Sequence, residues 1–467
     1  MVFSSYLFIF FFLPVVLLCY YLSPRKLKHL CLTLFSYLFY GWANPYFCLL
    51  MLFNTAVDYT NGRLMEKYPE RKKLFVTISV ITGLSILGFF KYFNFGLENY
   101  NALMQAMGIP EAQFIGFFKI VLPLGISFYT FQSMSYVIDV YRNDAKVVRN
   151  FIDYACYVSM FPQLVAGPII RFQEVADQLQ FRTHTLEKFT RGITFFMLGM
   201  GKKVLLANPC GKIADTTFAA GVLDAADAWY GAVAYAFQIY FDFSGYSDMA
   251  IGLGLMLGFV FAKNFDSPYK SLSITEFWRR WHISLSSWLK DYLYIPLGGN
   301  RCGNIRTYIN LALVMLLGGL WHGASWNFLI WGAIHGGYLA FERAQGKASI
   351  YHKLPKLLQM AITFFIVVIA WVFFRADNLP AAWQYLCSMF SGSGGVEHTG
   401  VVGGLIYNPY YVVNFVLAGL VIWLLPQSWD FTRRLNWGKL VWCVIVFLIA
   451  LAALTTQSYN PFIYFIF

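Results

Sequence analysis

The segment Gly318-Gly319-Leu320-Trp321-His322-Gly323-Ala324-Ser325-Trp326-Asn327 puts an imidazole in the middle of a stretch, from about Ile309 to Ala340, that carries no charged side chain. Basic residues bracket that stretch, Arg301 and Arg306 before it and Arg343 and Lys347 after it. Two flanks of the same sign predict a chain that enters a membrane and returns as two short or broken helices. His322 then lies far from either surface. Imidazole titrates near pH ~6.5, so its neutral form is available to take a proton from a hydroxyl attacking an acyl group. Ser325, Asn327 or the backbone N–H groups of a broken helix are candidate donors to the oxyanion that develops. The plainer reading is a buried histidine that hydrogen-bonds two helices together.

A second segment, Glu276-Phe277-Trp278-Arg279-Arg280-Trp281-His282-Ile283-Ser284-Leu285-Ser286-Ser287-Trp288-Leu289-Lys290-Asp291-Tyr292, is amphipathic. Trp278, Trp281, Leu285, Trp288 and Tyr292 recur at helical spacing with cations between them, which predicts an interfacial helix with its aromatic rings at the headgroup level. Arg279, Arg280 and His282 would border a cytoplasmic entrance for an anionic acyl donor.

The third, Gln238-Ile239-Tyr240-Phe241-Asp242-Phe243-Ser244-Gly245-Tyr246-Ser247-Asp248-Met249, holds two carboxylates in a long apolar helix. Gln238, Asp242 and Tyr246 share one face, and Ser244 and Asp248 another. Asp242 and Asp248 are either structural, paired with each other or with the basic segment, or part of a proton pathway.

These residues need elements to hold them, and composition says what kind. The 467 residues are 58% hydrophobic, 20% aromatic and 12% charged. A soluble domain carries roughly twice that charge fraction, so the chain has too little polar surface for a water-soluble particle. Apolar runs begin at Val2 and near Leu30, Phe47, Leu74, Phe117, Phe151, Ile193, Trp229, Ile309, Leu357, Tyr410 and Val441. They predict an all-α integral membrane protein with about eleven transmembrane helices, plus short re-entrant and interfacial ones where Gly, Pro and charges interrupt. The first run lacks a basic leader and a small-residue cleavage site, and reads as a retained helix. Basic clusters at Pro24–Lys28, Arg63–Lys73 and Arg142–Arg149, with Lys353 and Lys356, belong in the cytoplasm and place the N-terminus outside. The Glu98–Glu111 loop and the glycine-rich 391–395 loop then lie outside as well.

The net charge of +12 largely reflects those cytoplasmic loops. Nucleic acid is not an expected partner, since no basic segment interleaved with stacking aromatics forms a soluble module. The eight cysteines contain no Cys-x-x-Cys pair and support neither a disulfide framework nor a zinc site; no metal is expected. One membrane domain, 1–467, is expected, with a catalytic core at about 120–345, where polar groups concentrate. Pro123–Tyr129 and Pro162–Pro168 read there as broken helices beside a cavity.

Taken together and in this order, Phe277-Trp278-Arg279-Arg280-Trp281-His282, Asp291-Tyr292-Leu293-Tyr294-Ile295-Pro296-Leu297-Gly298-Gly299-Asn300-Arg301 and Trp321-His322-Gly323, with Phe241–Asp248, resemble the membrane-bound O-acyltransferase family. The nearest branch resembles the membrane subunit of bacterial alginate O-acetylation systems. The resemblance implies a ring of helices around a thin centre, where a funnel from outside meets a tunnel from the cytoplasm. It implies catalysis at His322, a second functional histidine at His282, and a donor side carrying Arg279, Arg280, Trp281, Asn300 and Arg301. It implies no bound cofactor. The acyl-donor substrate would be cytoplasmic acetyl-CoA, or a carrier-protein thioester as in teichoic-acid D-alanylation. An extracytoplasmic acyltransferase would finish transfer to an exported polysaccharide. D-alanyl transfer to teichoic acid and acetyl transfer to peptidoglycan are the alternatives within the family. A proton-coupled transporter using Asp242, Asp248 and His322 is the alternative outside it, and no inverted repeat favours that reading.

Overall fold

The computed structural model describes all residues except 115, 117, 222, 347–352, 392–399, 458 and 462–467. Expectations at Phe117, at Lys347 and over 392–395 fall outside the described residues. Among the described residues the secondary structure is helical, with no strand. The chain packs as two compact units, Met1–Thr183 and His184–Phe467.

In the first unit, the helices Tyr46–Lys67, Lys72–Ala106 and Ile126–Arg142 pack on one another. Polar side chains tie them across apolar surfaces. Asn54 Nδ2 donates to Ser133 Oγ at 2.9 Å, and Asn61 Nδ2 to Ser79 Oγ at 3.0 Å. Such bonds serve where lipid offers no hydrophobic drive between helices. The Leu7–Leu22 segment turns Phe8, Phe12 and Val16 inward and leaves Phe10, Phe11 and Leu18 exposed. An outward face of that kind suits hydrocarbon rather than water.

The second unit is built around the helix Ala225–Met256, buried along nearly its whole length. A helix apolar on every side has no solvent face and becomes a core element. It lies against Leu186–Gly201, where glycines meet. A Cβ on Gly199 would strike the carbonyl oxygen of Gly245, and one on Gly252 would strike that of Gly192. Small residues at this spacing let the backbones touch.

Among the described residues, three helices are long and apolar enough to cross a membrane: Pro69–Ala106, Lys356–Arg375 and Trp437–Thr456. Leu7–Leu22 and Pro409–Leu424 are shorter apolar helices. The predicted runs near Phe47 and Trp229 are single helices, Tyr46–Lys67 and Ala225–Met256. The run beginning near Ile193 passes through a π-helical stretch, Lys202–Ala207, where Pro209 and two lysines disturb regular winding.

Candidate active site

The charge-free stretch lies on two unbroken helices, Asn304–His322 of 19 residues and Trp326–Gln345 of 20, joined by a tight connection. His322 is the last residue of the first helix. The pair is held close by glycine. A Cβ on Gly319 would collide with the Phe328 carbonyl, and one on Gly332 with that of Met315. The backbones therefore touch on either side of the turn, and His322 is carried at a rigid corner. Only 7% of its surface remains exposed. Rings wall it edge to face: Trp321 at 5.0 Å between centroids, Trp331 at 5.2 Å and Phe374 at 5.2 Å. Such geometry fixes ring orientation as well as position.

The amphipathic segment differs from the single interfacial helix expected. It runs as Ile274–Arg280, breaks, and resumes as Ile283–Leu289 before a π-helical Lys290–Tyr294. Trp281 is extended, and His282 takes a left-handed conformation, φ 44° and ψ 55°. Trp281, Leu285, Trp288 and Tyr292 are buried inside protein instead of resting at headgroups. The reason is that the bend turns the tryptophan edge into the second unit's core. There Trp281 meets Phe265 at 5.1 Å and Trp371 at 5.1 Å.

The bend also delivers His282 to His322. Their centroids stand 6.4 Å apart with the planes inclined at 63°. His282 is fully buried, with Phe243 edge-on at 4.6 Å. Its neighbourhood is polar on one side only. Asn264 Oδ1 accepts from Ser284 N at 3.2 Å and from Ser284 Oγ at 2.9 Å, and lies 3.3 Å from His282 Nδ1. The Asn264 carbonyl accepts from Ile283 N at 2.9 Å. The His282 Nε2 atom is buried and has no hydrogen-bond partner among the described residues.

The remaining predicted site residues divide. Asn327 is spoken for, since its Nδ2 donates to the Ala376 carbonyl at 2.6 Å. Ser325 caps the start of the second helix without a side-chain capping bond and is half-buried. Arg280 is paired with Glu276 at 2.7 Å and donates to the Asp266 carbonyl at 3.1 Å. Arg279 is exposed and lines a groove of about 1240 Å³ together with Arg343, Tyr338, Phe341 and Phe365. That lining includes neither His282 nor His322. Asn300 and Arg301 sit on an exposed turn. Asn310 Nδ2 ties that turn down by donating to the Gly299 carbonyl at 2.9 Å.

Asp242 and Asp248 do not reach the histidines through any described bond. Asp242 pairs with Lys203 at 2.5 Å, both nearly fully buried. Asp248 pairs with Lys202 at 2.7 Å and accepts from Ser428 Oγ at 2.6 Å. Their partners are the two lysines of the π-helical stretch, not the basic segment. Lys202 and Lys203 stand in the sequence as adjacent cations in an apolar run, where the cost of burying charge implies an anionic partner. Asn264 and Trp331 gave no such signal, because a lone amide and a lone indole are common in any core. A third histidine, His335, is buried one helical turn beyond Trp331, and its Nδ1 accepts from Trp278 Nε1 at 3.3 Å.

A helical protein with lipid-suited surfaces and two buried imidazoles in ring contact has the makings of a membrane acyl-transfer enzyme. The chain belongs to the membrane-bound O-acyltransferase family, whose model matches residues 142–376. It is 45% identical to the "Probable alginate O-acetylase AlgI" of Pseudomonas putida over the whole of both chains. It is 51% identical to the protein of that name in Azotobacter vinelandii, across 84% of this chain and 78% of the other. The "Peptidoglycan O-acetyltransferase" of Helicobacter pylori is 39% identical across 84% of this chain and 80% of its own. The protein is thus an O-acyltransferase of the alginate O-acetylase branch and a membrane protein.

Proposed function

We propose that this enzyme moves an acetyl group from a cytoplasmic acyl thioester, acetyl-CoA or an acyl carrier, toward a hydroxyl of an exported polysaccharide of the alginate type. His322 is the catalytic base and His282 its companion. The observation that carries this reading is the contact of two buried imidazoles at the corner of two helices. The names of the relatives support acetyl and polysaccharide.

The chemistry is a single exchange. As the acceptor oxygen attacks the thioester carbonyl, its proton passes to imidazole nitrogen. A C–O bond forms, the tetrahedral adduct collapses, and the C–S bond breaks. The imidazolium returns the proton to the departing thiolate, leaving an ester and a free thiol. The surrounding rings exclude water and fix orientation, which converts a bimolecular encounter into a held one. Ser325 is the side chain best placed by sequence to donate to the oxyanion, now that Asn327 is engaged. On the donor side Arg279 is an exposed guanidinium for an anionic group, with Trp281, Arg280, Asn300 and Arg301 shaping the approach.

The whole chain would act as one multi-pass domain of the bacterial cytoplasmic membrane, with its catalytic core at about 120–345. Its N-terminus lies outside, with about eleven crossings ringing a funnel and tunnel. An extracytoplasmic acyltransferase would receive the acyl group. A peptidoglycan acceptor is the second reading, favoured by the Helicobacter pylori relative's name. The test is incorporation of radiolabelled acetyl into exported polymer by cells carrying His322→Ala. Incorporation should fall by about 10²–10⁴-fold. Undiminished labelling, with the protein correctly inserted, would remove the catalytic role.

A further inference from the structure

The atoms around His282 decide which of its nitrogens is basic. The backbone N–H of Ser284 can only donate, and it faces the Asn264 side chain at 3.2 Å. The atom it faces must therefore be the amide oxygen, since the amino group would set donor against donor. The same oxygen lies 3.3 Å from His282 Nδ1. The other polar neighbour of Nδ1 is Ser284 Oγ at 3.4 Å. That hydroxyl already gives its proton to Asn264 Oδ1 at 2.9 Å, so it too presents lone pairs. Nδ1 is thus surrounded by acceptors and carries the ring proton. Nε2 is left with its lone pair, fully buried and without a hydrogen-bond partner among the described residues.

We propose that Asn264 is a positioning residue that fixes His282 in the Nδ1-protonated tautomer and so makes Nε2 the proton-accepting atom of a two-histidine site. The bond made by one ring nitrogen sets the state of the other. A neutral His282 held this way can take a proton at Nε2 but cannot give one there until it has received one. Beside His322, the base of the proposed reaction, it therefore acts as a proton acceptor first and as a donor only afterwards. The Asn264 main chain reinforces the register, because its carbonyl holds Ile283 N at 2.9 Å and keeps His282 in its left-handed bend. The inference rests on the reading of His322 and His282 as a catalytic pair.

The experiment uses the full chain in proteoliposomes and follows free thiol released from acetyl-CoA across a pH series. Asn264→Ala should lower kcat about ten- to hundredfold with KM for the thioester nearly unchanged. Asn264→Asp keeps an acceptor beside Nδ1 and adds a negative charge that favours the imidazolium. His282 then stays protonated to higher pH, so Asn264→Asp should recover much of kcat with the acid limb of its profile moved upward by about one unit. Wild-type kcat and an unmoved profile in both variants would overturn the proposal. So would an equal loss in both with no movement of the acid limb, the pattern of a merely structural amide. His282→Ala separates this from the underlying reading, because full activity in that variant would remove the catalytic pair itself, whatever Asn264 does.

Discussion

The imidazoles of His282 and His322 face one another at 6.4 Å, one at a left-handed bend and the other at a helix terminus. Both border Trp321, at 6.0 Å and 5.0 Å. Neither ring owes its place to the other's element. The bend is fixed through Asn264 and the corner through glycine contacts.

Residues that act as one unit are not additive when removed. His282→Ala and His322→Ala should each abolish most acetyl transfer, and the double variant should be within a few-fold of the worse single. Initial rates in membranes with matched protein content measure this. Losses that multiply would mean the two rings work independently.

The close approach at Gly319 leaves no room for a methyl group. Gly319→Ala should lower stability by about 1–3 kcal/mol, the usual cost of overpacking. It should also reduce activity by moving the corner that carries His322. Gly318 is the control, since a Cβ there meets only Leu289 Cδ1 at 3.4 Å. Thermal unfolding in detergent, read beside transfer rates, should separate the two variants. Equal melting temperatures would contradict the packing argument.

The Lys203–Asp242 pair tests the old alternative of a proton pathway. Lys203→Met leaves Asp242 buried beside a neutral chain, which should cost about 3–5 kcal/mol. Lys203 also donates to the Pro461 carbonyl, so the loss reaches the C-terminal segment. The double variant Lys203→Met/Asp242→Leu removes both charges and should regain much of that stability. If it also regains acetyl transfer, the pair is structural. A stable double variant without transfer would return Asp242 to the mechanism.

Glu342 anchors the start of the segment that leads to His282. Its carboxylate accepts from Ile274 N at 2.6 Å and Thr275 N at 2.8 Å. Glu342→Ala should cost about 1–2 kcal/mol, in the range of a lost helix cap, and should slow transfer. Glu342→Gln keeps an oxygen acceptor and should lie between. Equal stability of all three proteins would show that the helix start is held by other contacts.

The helical, membrane character was legible because it follows from bulk composition and run length, which need no knowledge of neighbours. The division of the uncharged stretch into two helices beside His322 was legible for a similar reason, since cations flank that stretch on both sides. The bend at His282 was not. Nothing in Arg280-Trp281-His282-Ile283 breaks a helix by propensity. The break exists because Asn264, 20 residues before Ser284 and outside the segment, offers its side chain and carbonyl to Ser284 and Ile283. The partners of Asp242 and Asp248 were hidden for the same reason, on a helix that only folding brings alongside.

By itself, then, the sequence determined which residues are too costly to place in hydrocarbon without purpose, and it marked His322, His282 and the two aspartates. Only the tertiary structure decided which of these lie together. It joined the two histidines and drew the aspartates away to Lys202 and Lys203. Burial cost is a property of each side chain taken singly, whereas pairing depends on where distant backbone segments come to rest.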